Sequence, residues 1–219
     1  MKTVLITGAS RGIGKATAEN FLAQGWLVKG TSTDGAGWKH ESVEWFVLDL
    51  ADQKSIERST HELATKGPFD ALVNNAGIYD ESNDREDEPV SIPSLRRTLE
   101  INLIGTIDFT ERMLVALHDG AHIVSLGSGW GSLTEDRSSD APAYSISKAG
   151  LSMYTRRLAA RLASRNITVS ILSPGWTQTD MGGPEATRLV TEPAAEIYTL
   201  ATNNVPSGRF WERGEERTW

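Results

Sequence analysis

Tyr144 and Lys148 stand four apart in Tyr144-Ser145-Ile146-Ser147-Lys148, and Ser128 lies upstream. On a helix, that spacing puts both side chains on one face, one turn apart. A tyrosine titrates at about 10 and exchanges protons poorly at neutral pH. An ammonium beside it favours the phenolate and lowers that value, which suits acid–base work near pH 7. Taken alone, the same pair also describes a half-buried tyrosine beside a solvated lysine. The elements that carry it decide.

The chain opens on a short β-branched stretch, Thr3 to Thr7, which reads as a buried strand. Gly8-Ala9-Ser10-Arg11-Gly12-Ile13-Gly14 follows, then a helical pattern from Lys15 to Gln24 that Gly25 ends. Strand, glycine loop and helix are the parts of a dinucleotide site. Glycines let the backbone approach a pyrophosphate, and the helix N-terminus favours its charge. The second strand spans Trp26 to Thr31, and its corner reads Thr31-Ser32-Thr33 with Asp34 beyond. Hydroxyls with Arg11 in reach suit the 2′-phosphate of NADP; Asp34 turned inward would instead take the ribose diol of NAD. A third strand, Val43 to Leu48, ends at Asp49-Leu50. That carboxylate accepts from an adenine amino group or serves as a turn cap.

The fourth strand, Ala71 to Val73, leads into Asn74-Asn75-Ala76-Gly77 at its carboxyl end, where ligands bind in open α/β sheets. An acidic loop runs from Tyr79 to Glu88. Pro93-Ser94 opens a helix to about Leu117 with Asn102 inside it. Asparagine is a poor mid-helix residue, so something besides propensity holds it there. His122 to Leu126 is the fifth strand and ends at Gly127-Ser128, which places Ser128 at the crevice. Asp140 and Pro142 start the helix of Tyr144 and Lys148. Thr168 to Leu172 is the sixth strand, with Ser173-Pro174-Gly175-Trp176-Thr177-Gln178-Thr179-Asp180-Met181 at its end. Thr191 begins a last helix, and Ser207 to Trp211 is expected as an edge strand before a charged tail.

The 219 residues suit one α/β domain spanning 1–219. A net charge of -7 argues against nucleic acid and anionic membranes. With no cysteine, thiol catalysis is excluded, and the four histidines lack metal-ligand spacing. No membrane span and no leader segment are expected, so a cytoplasmic location is the default.

In order along the chain, Thr7-Gly8-x3-Gly12-Ile13-Gly14, Asn74-Asn75-Ala76-Gly77, Asn102, Ser128 with Tyr144-x3-Lys148, and Pro174-Gly175 resemble the short-chain dehydrogenase/reductase family. Pro174-Gly175-Trp176-x2-Thr179-Asp180-Met181-Gly182-Gly183 is similar to its carbonyl-reductase-like members. The resemblance implies a doubly wound parallel sheet of about seven strands with helices on both faces. It also implies NADP, or NAD, held by Gly8, Ser10, Arg11, Gly12, Ile13, Gly14, Ser32, Thr33, Asp49, Leu50, Asn75, Ala76, Gly77, Tyr144, Lys148, Pro174, Gly175, Thr177 and Thr179. Tyr144 would donate a proton to a carbonyl oxygen, and Lys148 would tune the phenol and bind the nicotinamide ribose. Ser128 would orient the substrate oxygen, Asn102 would support a water in a proton relay, and Thr179 would hold the carboxamide. A homodimer or homotetramer is implied too. The expected function is NADPH-dependent carbonyl reduction. Its rivals are alcohol oxidation with NAD(P) and a non-enzymatic dinucleotide sensor. The segment from Met181 to Thr191 is short for a lid. Trp130, Trp176 and Tyr79 are candidates for an aromatic wall, or for ordinary packing. Ser132 is a remote rival to Ser128.

Overall fold

The computed structural model describes residues 1–80, 89–134 and 141–219. Most of the acidic loop and Asp140 lie outside the described residues. Eight strands form one sheet: β1 (Thr3–Ile6), β2 (Leu27–Ser32), β3 (Val43–Val47), β4 (Phe69–Asn74), β5 (Leu117–Leu126), β6 (Thr168–Leu172), β7 (Arg209–Glu212) and β8 (Glu215–Arg217). Their order is β3-β2-β1-β4-β5-β6-β7-β8. All neighbours pair parallel except β7 and β8. The expected sheet of about seven strands thus gains a short antiparallel eighth from the charged tail. Beyond it the Trp219 ring stacks on Phe210, 6.0 Å between centroids.

Successive strand residues face opposite sides of the sheet, so each apolar run feeds two cores. Leu5, Leu72, Ile123 and Val169 pack with Ile56 and Leu63 of α2 (Gln53–Ala64), Phe109 and Met113 of α4 (Thr106–Met113), and Leu158 and Leu162 of α5 (Pro142–Leu162). On the other face Val4, Ile6, Val28 and Val73 pack with Ala18 and Phe21 of α1 (Gly12–Ala23) and Ile197 and Leu200 of α6 (Thr191–Thr202). The strand order reverses direction between β1 and β4, which opens a crevice at their carboxyl ends. No helix among the described residues is long and apolar enough to cross a membrane.

The helix expected from Pro93 to Leu117 is helical but not uniform. It runs as α3 (Ile92–Leu99), a π-helical turn Glu100–Gly105, α4, and a tight 3-10 turn at Leu114–Ala116. The fifth strand begins at Leu117, five residues before its expected start, with a register shift opposite Phe69 to Ala71.

Candidate active site

The glycine loop is a cradle that side chains would fill. Gly8 and Gly12 take φ of 65° and 54°, a region costly for residues with a Cβ. A Cβ on Gly14 would lie 2.2 Å from the Gly8 carbonyl oxygen and 2.5 Å from Asn75 Nδ2. Neighbouring strands fix the loop. Ala9 N donates to Thr31 O at 3.0 Å, and Gly8 N donates to Thr31 Oγ1 at 3.3 Å. Asn75 Nδ2 donates to the carbonyls of Thr7 and Gly8, both at 2.9 Å, while the N–H groups of Asn75 and Ala76 donate to Thr7 Oγ1. Asn75 therefore ties the end of β4 to the end of β1. Arg11, at the N-cap of α1, makes no side-chain cap, and the first turn has no acidic residue. The positive end of that helix is left for an anion, which fits a pyrophosphate. Ser10 lies in this loop half-buried, and Ile13 packs onto the core behind it.

The ribose corner differs from expectation. Arg11 ion-pairs with Asp180 at 2.9 Å, across 169 residues, instead of turning to Ser32. The Asp34 carboxylate meets Ser32 Oγ at 2.9 Å and takes the Ala36 N–H at 3.0 Å. Those two bonds, Ala36 first, hold its carboxyl below the usual range. Thr33 is exposed beside it. Asp49 accepts the Ala51 N–H at 2.9 Å, as a turn residue does, and the Leu50 side chain is buried in the core.

Opposite the glycine loop, the segment after β6 is tightly bound. Gly175 takes a φ of 66°. Thr177 Oγ1 bonds the Pro174 and Gly175 carbonyls, and Thr179 Oγ1 accepts the Gly182 N–H at 3.0 Å. A Cβ on Gly12 would lie 3.4 Å from the Thr179 methyl, so this segment and the glycine loop face each other closely. Arg188, which sequence reasoning missed, pins it: the buried guanidinium bonds the Pro174 carbonyl at 2.8 Å and pairs with Glu196. The available signal was an arginine just before the last helix, four and eight residues ahead of Glu192 and Glu196. Trp38, also missed, donates from Nε1 to Ala9 O at 3.2 Å and buttresses the glycine loop.

Ser128, Tyr144, Lys148 and Asn102 come together at the crevice. Ser128 lies beside the Tyr144 hydroxyl and acts to lower its pKa, while its Oγ accepts the Trp130 N–H at 3.1 Å. Lys148 is buried, donates from Nζ to Leu126 O at 2.8 Å, and lies 5.4 Å from the Tyr144 ring centre. Burial works against the lowering expected of the lysine. Burial pushes Tyr144 up to about 12, only partly opposed by Ser128, and pushes Lys148 down to about 8. Taking either charge out of water outweighs their mutual attraction at this distance. Asn102 is held by a reciprocal pair: its Nδ2 donates to Ile78 O and its Oδ1 accepts Ile78 N–H, both at 2.8 Å. The π-helical turn around it loosens the backbone ladder and accounts for an asparagine in mid-helix. A Cβ on Gly77 would lie 3.1 Å from Asn102 Oδ1 and 3.7 Å from Lys148 Nζ, so these three converge. Ser132, the rival to Ser128, bonds Thr134 instead. Of the three aromatic candidates, Tyr79 and Trp130 gather on Tyr144, while Trp176 is 54% exposed and bonds Gly182 O.

Comparison with known proteins bears on this arrangement. Residues 2–189 match the model of the short chain dehydrogenase family. The 3-oxoacyl-(acyl-carrier-protein) reductase of Salmonella typhimurium is 34% identical over 192 residues, covering 82% of this chain and 75% of the relative. Among solved structures, a carbonyl reductase from chicken fatty liver with NADPH bound superposes with a TM-score of 0.89 at 25% identity, covering 100% of this chain and 94% of that one. A short chain dehydrogenase from Burkholderia cenocepacia in complex with NADP gives 0.81 at 27% identity, covering 96% and 95%.

Proposed function

We propose, from the fact that the chain belongs to the short-chain dehydrogenase family of oxidoreductases, that it reduces a ketone or aldehyde carbonyl to an alcohol with NADPH. One arrangement carries this reading. Ser128 at the carboxyl end of β5 lies beside the Tyr144 hydroxyl, and Lys148 stands one turn further along α5, beside a cradle shaped for pyrophosphate. The bound relatives named above support the choice of cofactor class.

When bound, NADPH supplies a hydride to the carbonyl carbon. The chain supplies the rest. Tyr144 gives its phenolic proton to the carbonyl oxygen as the C=O π pair moves there. Ser128 Oγ accepts the Trp130 N–H and would turn its own proton to that oxygen. The buried phenol stays protonated at neutral pH and so has a proton to give. Lys148 would bond the nicotinamide ribose and stabilise the phenolate left behind, with Asn102 supporting the water that returns a proton. Thr179 would hold the carboxamide, and Gly8, Gly12 and Gly14 the pyrophosphate.

Tyr144→Phe tests it. The ring still packs, so fold and cofactor binding should survive while turnover falls by a factor on the order of 10²–10⁴. Near-normal turnover in the folded, cofactor-bound variant removes Tyr144 from the reaction. In the wild type, kcat/KM for reduction should fall as pH rises through about 8, where Lys148 gives up its proton and its charge. A rate that climbs through that pH contradicts the role of Lys148.

A further inference from the structure

Three rings meet at the phenol used in the proposed reaction. Tyr79 lies 5.4 Å from Tyr144 between ring centres at 75°, and Trp130 lies 6.1 Å from it at 88°. Tyr79 and Trp130 are themselves 5.7 Å apart at 62°. All three pairs are edge to face, the arrangement that ring quadrupoles favour.

The backbone that sets the reacting groups also sets these rings. Trp130 follows Ser128 in the 3-10 turn Gly129–Gly131, and its N–H holds Ser128 Oγ. A Cβ on Gly131 would lie 2.7 Å from Ala149 N and 2.9 Å from Lys148 Cβ, so the turn is pressed directly onto α5. Tyr79 follows Ile78, whose N–H and carbonyl are both taken by the Asn102 side chain. One ring is thus anchored through Ser128 and the other through Asn102. A carbonyl oxygen that reaches the Tyr144 and Ser128 hydroxyls must lay its substituents against them.

Resting on the carbonyl-reductase reading, we infer that the substrate is a carbonyl compound with an aromatic ring next to the carbonyl, selected by ring-to-ring contact with Tyr79 and Trp130.

Acetophenone and cyclohexyl methyl ketone separate aromatic contact from bulk, because their rings have the same number of carbons. Their kcat/KM values are measured in wild type, Tyr79→Leu, Trp130→Leu and Trp130→Phe, with folding checked by circular dichroism. Comparing variants cancels the intrinsic reactivity of each ketone. Each leucine should cost acetophenone roughly 2- to 12-fold relative to the cyclohexyl ketone, the worth of one aromatic pair. Trp130→Phe should retain the preference. Equal losses on both ketones, or no loss on either, overturn the inference; if Trp130→Leu does not fold, Tyr79→Leu decides. Binding to the wild type loaded with NADP⁺, which cannot reduce a ketone, separates this claim from the reaction. Acetophenone should bind more tightly there than the cyclohexyl ketone. Ring discrimination in binding with neither ketone reduced would sink the reaction and leave the inference. Reduction of both without ring discrimination would do the reverse.

Discussion

On the proposed reading, Asp34 and Arg11 would decide between NADPH and NADH. The Asp34 carboxylate is ionised and bonded to Ser32, where a 2′-phosphate would approach. Arg11 pairs with Asp180, but both side chains are about 80% exposed. An exposed ion pair contributes at most about 1 kcal/mol, whereas a charge-assisted bond to phosphate contributes about 1.5–3 kcal/mol. Exchange of Asp180 for a phosphate therefore favours NADPH, and Asp34 opposes it. Asp34→Ala should tighten NADPH and loosen NADH. Arg11→Ala should weaken NADPH by about tenfold to a hundredfold and leave NADH almost unchanged. Tryptophan fluorescence titration with both reduced cofactors measures this, and wild-type NADH binding as tight as NADPH would reverse the assignment. The sequence placed both residues near the corner. Whether a side chain turns to a ligand or to a rival across 169 residues is a contest between contacts, and no local spacing encodes its outcome.

Among the elements, the segment after β6 is the one with a consequence for access. Gln178 N donates to Arg188 O at 2.8 Å, Arg188 N donates to Trp176 O at 3.0 Å, and Gln178 Nε2 donates to Ala186 O at 2.9 Å. These bonds close the chain from Trp176 to Arg188 on itself, with Arg188 pinned beneath it by Glu196. Its shortness was plain in the sequence, but its rigidity was not, because that rests on a buried ion pair to the next helix. Limited proteolysis should find this segment resistant both with and without NADPH, and strong protection by the cofactor would reveal a closing lid instead. Arg188→Met strands Glu196, whose side chain is only 16% exposed, without its partner. It should lower stability by about 3 kcal/mol and make the segment cleavable. The π-helical turn teaches the same point. Its asparagine is out of place by propensity, yet the pairing with Ile78 that explains it comes from the loop after β4.

The molecule as a whole reports on its packing through His122. It is buried between β5 and β6 with Nε2 at 2.9 Å from Ser170 Oγ, and burial lowers its pKa to about 4. The unfolded chain takes up that proton near pH 6.5, the folded chain only near 4, so between those values the unfolded state binds more protons and stability rises with pH. The contribution is full above about pH 6.5 and is lost as pH falls towards 4, on the order of 3 kcal/mol. Urea melts across that window should show a shallower slope for His122→Gln than for wild type; equal slopes would contradict it. The β-branched strands, the glycine loop, Tyr-x3-Lys and the proline that starts α5 act between near neighbours in the chain, so fold class, family and the four groups at the crevice could be read from the residues in order. The convergence of Tyr79, Trp130 and Tyr144, the turn of Arg11 to Asp180, and the direction in which Tyr144 and Lys148 titrate depend on distances across the fold and on how much water each group loses. Those quantities exist only once the chain has packed.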